Sequence, residues 1–431
     1  MIARTDLLHY ALALLLAIGL IAAVYPGYLS FDSSYVWWQA RTGQMSNLSA
    51  PGFTLSVALL GPTLPVIAQI VGYFLLIAAL PRALGCGRVA AWVVFAALAL
   101  CPPMLVLLPH LWSDVQLTVC LLAASLGLLL GAGSQPRGYL LALIAVLLIY
   151  AVQIRLNALA AVVPLACAWG FLLDPRPRRA LVACAALLAT AFAVSSAINQ
   201  TSVREQRSAW AVPVMWDLQA MSIASDQMLL PASVQGPGLD VAQLRTSFDQ
   251  DTAVGLFSRT RSGVAGPGAE EFSRDRKSAL VENWMAAIRA QPWTYLQHRT
   301  RVFSRLIGAH RDASALGLVD FPSVVQYLDN PPLAPPNSRW HDAYRALAEG
   351  LKASGLIAPW IYLSAGIALG IYGLRRGPWR MQERVLLSIG LSGLLYLVPY
   401  FIIAPSTELR YAAWAVVACL LAGLGLSLNR R

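Results

Sequence analysis

The feature that most constrains this chain is a recurrence of apolar runs long enough to cross a bilayer. They lie near residues 7–24, 63–80, 89–108, 114–131, 139–153, 158–173, 180–198, 356–374, 385–403 and 411–428. A helix of about 20 residues covers a hydrocarbon core of about 30 Å, and backbone amides inside that core must find their partners within the segment. The expected fold is therefore an all-α polytopic membrane protein with about ten transmembrane helices. Composition agrees: 12% of the residues are charged, where a soluble domain carries about 25%. The first run sits where a signal peptide would, but no A-x-A-like cleavage site precedes Tyr25, and the run is long enough to span. Residues 53–60 form a shorter apolar stretch ending at Gly61-Pro62, as expected of an interfacial or re-entrant segment.

Arginines assign the sides. Arg4, Arg82, Arg88, Arg137, Arg176, Arg178, Arg179, Arg375, Arg376, Arg380, Arg384, Arg430 and Arg431 all fall in alternate turns, whereas the opposite turns hold only Arg41, Arg155 and Arg410. By the positive-inside rule both termini are cytoplasmic. The net charge of +11 is thus a topology signal, and nucleic-acid binding drops out. Among 32 basic residues only Lys277 and Lys352 are lysines, a usage that hints at a GC-rich bacterial genome. That makes the expected location the bacterial inner membrane, with the active face periplasmic. The chain then divides into an N-terminal transmembrane module of about seven spans (1–198, first external loop 25–62), an external segment (199–355) and a C-terminal module of about three spans (356–431).

The external segment is polar and broken by QGPG (235–238) and NPPLAPPNS (330–338), so it is expected to be helices joined by loops. Residues 278–290 pattern as one amphipathic helix, and Pro292 can open another reaching about Ala309. The second carries Trp293, Tyr295 and Phe303 with His298, Arg299, Arg301 and Arg305, the composition of an interfacial helix on anionic headgroups. Six cysteines are present, none with CxxC spacing, and five lie inside apolar runs, where they read as small packing residues.

The membrane part holds six acids. Asp6, Asp174 and Glu383 face the cytoplasm by this topology; Asp32, Asp114 and Glu408 face outward, with Arg41, Arg155 and Arg410. Ionisable groups this close to a span are costly, and are usually functional or paired. Asp114, in HLWSD (110–114), also suits a helix cap. Glu408 and Arg410, in PSTELRY (405–411), also suit a local ion pair. Arg155 and Asn157, in QIRLN (153–157), have no acid nearby in sequence, so the arginine calls for a carboxylate or a phosphate. Asp32, in FDSSYVWWQA (31–40), would cap a helix starting at Ser33, although Ser30, Ser33 and Ser34 could do so at lower electrostatic cost. Trp37 and Trp38 are belt residues that would lay this helix along the outer surface with Asp32 above the bundle.

This layout of a span, an acid in the first external loop, a short interfacial helix, further spans and a large external segment resembles the GT-C superfamily of integral-membrane glycosyltransferases. More narrowly, YPGYLSFDSSYVWWQARTG (25–43), LWSD (111–114), IRLN (154–157), QPWTYLQHRTRVF (291–303) and ELRY (408–411) look like a bacterial branch near the protein O-mannosyltransferases and aminoarabinose transferases. One departure is that such relatives often carry His-Pro-Pro after the first-loop helix, where this chain has Ser49-Ala50-Pro51-Gly52. A histidine that binds donor or acceptor would then be missing, which bears on substrate or on activity.

The resemblance implies an inverting transfer of a sugar from a polyprenyl-phosphate donor to a hydroxyl of an envelope glycan, lipid or protein. Asp32 would be the general base, with Asp114 a second catalytic carboxylate. Arg155 and Arg410 would hold the phosphate, with Asn157, Glu408, His110 and Tyr35 completing substrate binding. A carboxylate at the nucleophile and fixed positive charge on the leaving phosphate are what such chemistry demands. No cofactor is expected, although Asp32 and Asp114 sharing a divalent cation would fit some members of the superfamily; no cluster has metal-ligand spacing. An O-antigen polymerase or ligase would share the outward arginines and the large loop. A transporter would place its charges mid-span rather than at one face.

Overall fold

A computed structural model describes residues 4–134, 136–155, 157–257, 263–309, 324–375 and 380–428. Leu156 of the IRLN stretch, and Arg376, Arg430 and Arg431 of the arginine count, lie outside these. The described residues are overwhelmingly helical. Among the described residues, six helical stretches are long and apolar enough to cross a membrane: Asp6–Val24, Thr63–Ala83, Ser113–Gly133, Pro177–Ser202, Met381–Ile403 and Leu409–Leu428. Each matches one of the expected runs.

The other four runs are shorter as helices. Gly138–Ile154, Ala158–Leu173 and Pro359–Leu374 have 17, 16 and 16 residues, about 24–26 Å at 1.5 Å per residue. The run at 89–108 is not one helix. It breaks after Arg88–Ala99, because Pro102 disfavours a helical conformation at Cys101 and instead starts the short helix Pro102–Leu107. The stretch at 53–60 is a helix, Pro51–Leu60, opened by its proline.

Leu409–Leu428 is the axis of the fold, almost wholly buried. Small residues permit its close contacts: a Cβ on Gly423 would meet the Gly366 carbonyl oxygen at 2.3 Å, and one on Gly366 would meet Cys419 at 2.5 Å. Backbones approaching this closely are a common way for membrane helices to associate. By contrast Leu7, Leu15, Ile18, Val182 and Phe192 leave the faces of the first span and of Pro177–Ser202 openly apolar.

The aromatic helix of the first loop spans Phe31–Thr42 and starts earlier than expected. Ser30 caps it, accepting the Ser33 N–H at 3.4 Å, and Gly43 closes it in the left-handed conformation at φ 70°. The cap therefore does not occupy Asp32. Two short parallel strands, Met45–Ser46 and Val203–Glu205, tie this loop to the start of the 199–355 segment.

In that segment the expected amphipathic helices are Arg274–Ala290 and Pro292–Leu306. The second turns two of its basic residues inward rather than toward headgroups. Arg299 is fully buried against Asp217 at 2.7 Å, and Arg305 is buried in an ion pair with Asp251. His298 lies 3.4 Å from Asp217. Of the four basic residues only Arg301 is exposed. A polar–apolar alternation marks a buried face, but here that face carries its charges inward because acids from other elements meet them.

Candidate functional site

At one end of the bundle the chain gathers charges from four separate stretches. Asp32 follows the end of the first span, Asp114 opens Ser113–Gly133, Arg155 follows Gly138–Ile154, and Glu408 and Arg410 open Leu409–Leu428. Turns assigned to one side by their arginines thus meet in space.

Arg410 is the hub. Its Nη2 donates to Asp32 Oδ2 at 2.6 Å, its Nε contacts the Glu408 carboxylate, and the same Nε lies 4.0 Å from Asp114 Oδ2. Its guanidinium stacks over Trp112 at 4.9 Å and Tyr411 at 5.4 Å. Arg410 thus lies between Asp32 and Asp114.

Arg155 is the second centre. Nη1 donates to Asp114 Oδ2 at 2.7 Å and to Ser113 Oγ at 3.1 Å, and Nε donates to Asn157 Oδ1 at 3.1 Å. Asn157 Nδ2 donates to the Tyr400 hydroxyl at 2.6 Å, while the Tyr396 hydroxyl donates to Asp114 Oδ1 at 3.0 Å. Tyr411 lies under Arg155 at 5.3 Å. The carboxylate that Arg155 called for is Asp114, contributed from 41 positions earlier in the chain. Asp114 is at the first turn of its helix, yet no side chain caps that helix; its oxygens serve Arg155 and Tyr396.

Exposure separates the roles these groups can take. The Asp114 side chain is 1% exposed and that of Asp32 is 59% exposed. One carboxylate is locked inside the network, the other presented to the surroundings while anchored from behind. Burial pushes the Glu408 carboxyl up from its ordinary value, with Arg410 opposing and Asp32 adding to the rise. Counting charges, Asp32, Asp114 and Glu408 against Arg155 and Arg410 leave one net negative charge when all are ionised. An entering anion must displace a carboxylate from an arginine or bring a proton or cation with it.

Two of the sequence-predicted residues stand apart. His110 is fully buried with its ring stacked on Trp112 at 4.0 Å, one ring removed from Arg410. Tyr35 is buried, its hydroxyl 3.0 Å from Ser46 Oγ and its ring among Trp38 and Tyr327, so it does not join the ionic network. Tyr396, Tyr400, Tyr411 and Trp112 were missed, because in sequence they are indistinguishable from aromatic belt residues. The spacing of Tyr396 and Tyr400, four apart in sequence, was the available signal. Among the described residues no group of three or more His, Cys, Asp or Glu is arranged to hold a metal ion. No protein family, curated protein or solved structure matches the chain.

Proposed function

We propose that this protein is a glycosyltransferase of GT-C type in a bacterial inner membrane. It would use about ten helices, the shorter ones included, to present the Asp32–Arg410 site on the periplasmic side. In this reading it transfers a sugar from a polyprenyl-phosphate donor to an acceptor hydroxyl of an envelope glycan, lipid or protein. The observation that carries the reading is the exposed Asp32 carboxylate held on a mostly buried arginine, with a second arginine and its own acid just behind.

The pairing implies an order of events. While Asp32 holds Arg410, its Oδ2 accepts the Nη2 hydrogen bond at 2.6 Å and is not free to take a substrate proton. The donor's phosphodiester, carrying one negative charge, takes Arg410 in its place, which releases Asp32 next to the reacting centre. Asp32 then accepts the acceptor's hydroxyl proton as that oxygen bonds to the anomeric carbon from the face opposite the phosphate. The carbon–oxygen bond to phosphate breaks, and its electron pair leaves with polyprenyl phosphate. That product carries the second negative charge, which Arg410 and Arg155 stabilise. The sugar's configuration inverts, and Asp32 ends protonated.

Purified protein reconstituted with a polyprenyl-phosphate sugar provides the test. A positioned base contributes typically about 10²–10⁴-fold, so Asp32→Asn is expected to lose turnover on that scale while keeping its thermal midpoint. Normal turnover in Asp32→Asn removes the base role. The polymerase or ligase alternative rests on indispensable basic residues in Pro292–Leu306. Since Arg299 and Arg305 sit in buried ion pairs, Arg301 is the informative position there, and its loss is expected to leave turnover intact.

A further inference from the structure

The loop at 404–408, which delivers Glu408 and Arg410 to the site, is held by the external segment rather than by the bundle. The Ala253 N–H donates to the Pro405 carbonyl at 2.8 Å, and the Thr407 N–H donates to the Asp251 carbonyl at 2.9 Å. Thr252 and Ser406 form the antiparallel bridge between them. Arg299 Nη1 donates to the Ala404 carbonyl at 2.9 Å, and Nη2 donates to the Pro213 carbonyl at 3.0 Å. Downstream, Ser406 Oγ donates to Glu408 Oε1 at 3.2 Å, and Glu408 holds Arg410.

Arg299 and Asp217 are both fully buried. Asp217 also accepts the Trp284 indole N–H at 3.0 Å. A buried ion pair is a weak source of stability, since apolar side chains of similar volume often do as well. What the planar guanidinium adds is direction: two donors fixed at an angle, each on a carbonyl of a different segment. Ala404 ends the last turn of its span, and its carbonyl has no helical partner of its own. Arg299 therefore sets where the chain leaves the membrane helix, and the 251–253 segment sets its path to Glu408.

We infer that Arg299 and the backbone of Asp251–Ala253 are positioning elements of the candidate site, so that the 199–355 segment is one wall of it rather than an appendage. The functional consequence rests on the reading of Arg410 as the donor-phosphate ligand. The full-length protein is tested with a short-chain polyprenyl phosphate as probe. Arg299→Lys keeps the buried charge opposite Asp217 but cannot bond both carbonyls, and is expected to weaken binding about tenfold. Equal binding by Arg299→Lys and its parent overturns the inference.

A second readout needs no ligand. Thr407 is buried, so Thr407→Cys is expected to resist a polar maleimide in the parent background and to react in Arg299→Lys. If the parent binds no polyprenyl phosphate, the donor reading fails and this labelling alone decides the positioning role. Equal protection in both backgrounds overturns it. Asp251→Asn, which leaves the backbone in place but loosens its anchor on Arg305, replaces Arg299→Lys in both assays if that variant does not fold.

Discussion

Arg155 shows how a single side chain can bear on a fold and, in the proposed reading, on a site for different reasons. Its guanidinium meets an aspartate that is almost wholly enclosed, so deleting the charge strands a buried carboxylate whose nearest remaining cation, Arg410, is 4.0 Å away. Breaking a buried pair from one side costs about 3–5 kcal/mol, whereas replacing both partners with apolar groups is often neutral. Arg155→Met is accordingly expected to lower the thermal midpoint sharply, and Arg155→Met with Asp114→Leu to recover much of it; both read out by thermal unfolding in detergent. The double variant should still fail to bind polyprenyl phosphate, which separates stability from function. Asp32 is the opposite case. Its side chain is mostly exposed and its partner keeps Glu408, so its substitution should cost less than about 1 kcal/mol.

At the scale of elements, the packing of Pro292–Leu306 against Ala211–Ser225 has a built-in pH dependence. Burial raises Asp217 to about 6, with Arg299 opposing that rise. Burial also lowers His298 to about 3, helped by the positive charges of Arg299 and Arg301. Between about pH 4 and 6 the folded state holds a proton on Asp217 that the unfolded chain has released, so this contribution to stability falls as pH rises. Over about pH 3 to 6.5 the unfolded chain binds a proton on His298 that the folded state refuses, so that contribution rises with pH. The two oppose each other in their overlap. His298→Gln removes only the rising term; its midpoint relative to the parent is expected to fall as pH increases from 4 to 6, with a slope near 1.4 kcal/mol per unit at most. A constant offset across that range would mean that His298 is not held neutral by its surroundings.

For the whole molecule, the apolar faces of Asp6–Val24 and Pro177–Ser202 and the gathering of Asp32, Asp114, Arg155 and Arg410 at one end are both consistent with a bundle whose two ends differ. The cleft beside Cys86 and Val93 lies by Leu428, at the other end of the helix that begins near Arg410. Reporter fusions test which end is outside. Fusions at Arg178 and at the C-terminus are expected to report the cytoplasm, and one at Ala265 the outside. A cytoplasmic signal at Ala265 reverses the sidedness and, with it, the proposed access of a periplasmic donor.

The chain alone determined its class, because hydrocarbon tolerates only self-satisfied helices, and it set an expectation for the sidedness of its turns, because arginine partitions by side. It also singled out Asp32, Asp114, Arg155, Asn157, Glu408 and Arg410, since an ionisable residue beside a span is conspicuous against apolar neighbours. Tertiary structure decided the pairing: that Arg155 answers Asp114, that Arg410 lies between Asp32 and Asp114, and that Tyr396 and Tyr400 belong to the network. It also decided that Arg299 and Arg305 face inward, where an amphipathic pattern pointed to a membrane surface. Periodicity along a helix records which face is distinctive. What that face meets depends on partners as distant as Asp217 and Ala404, and only packing of the whole chain brings those to it.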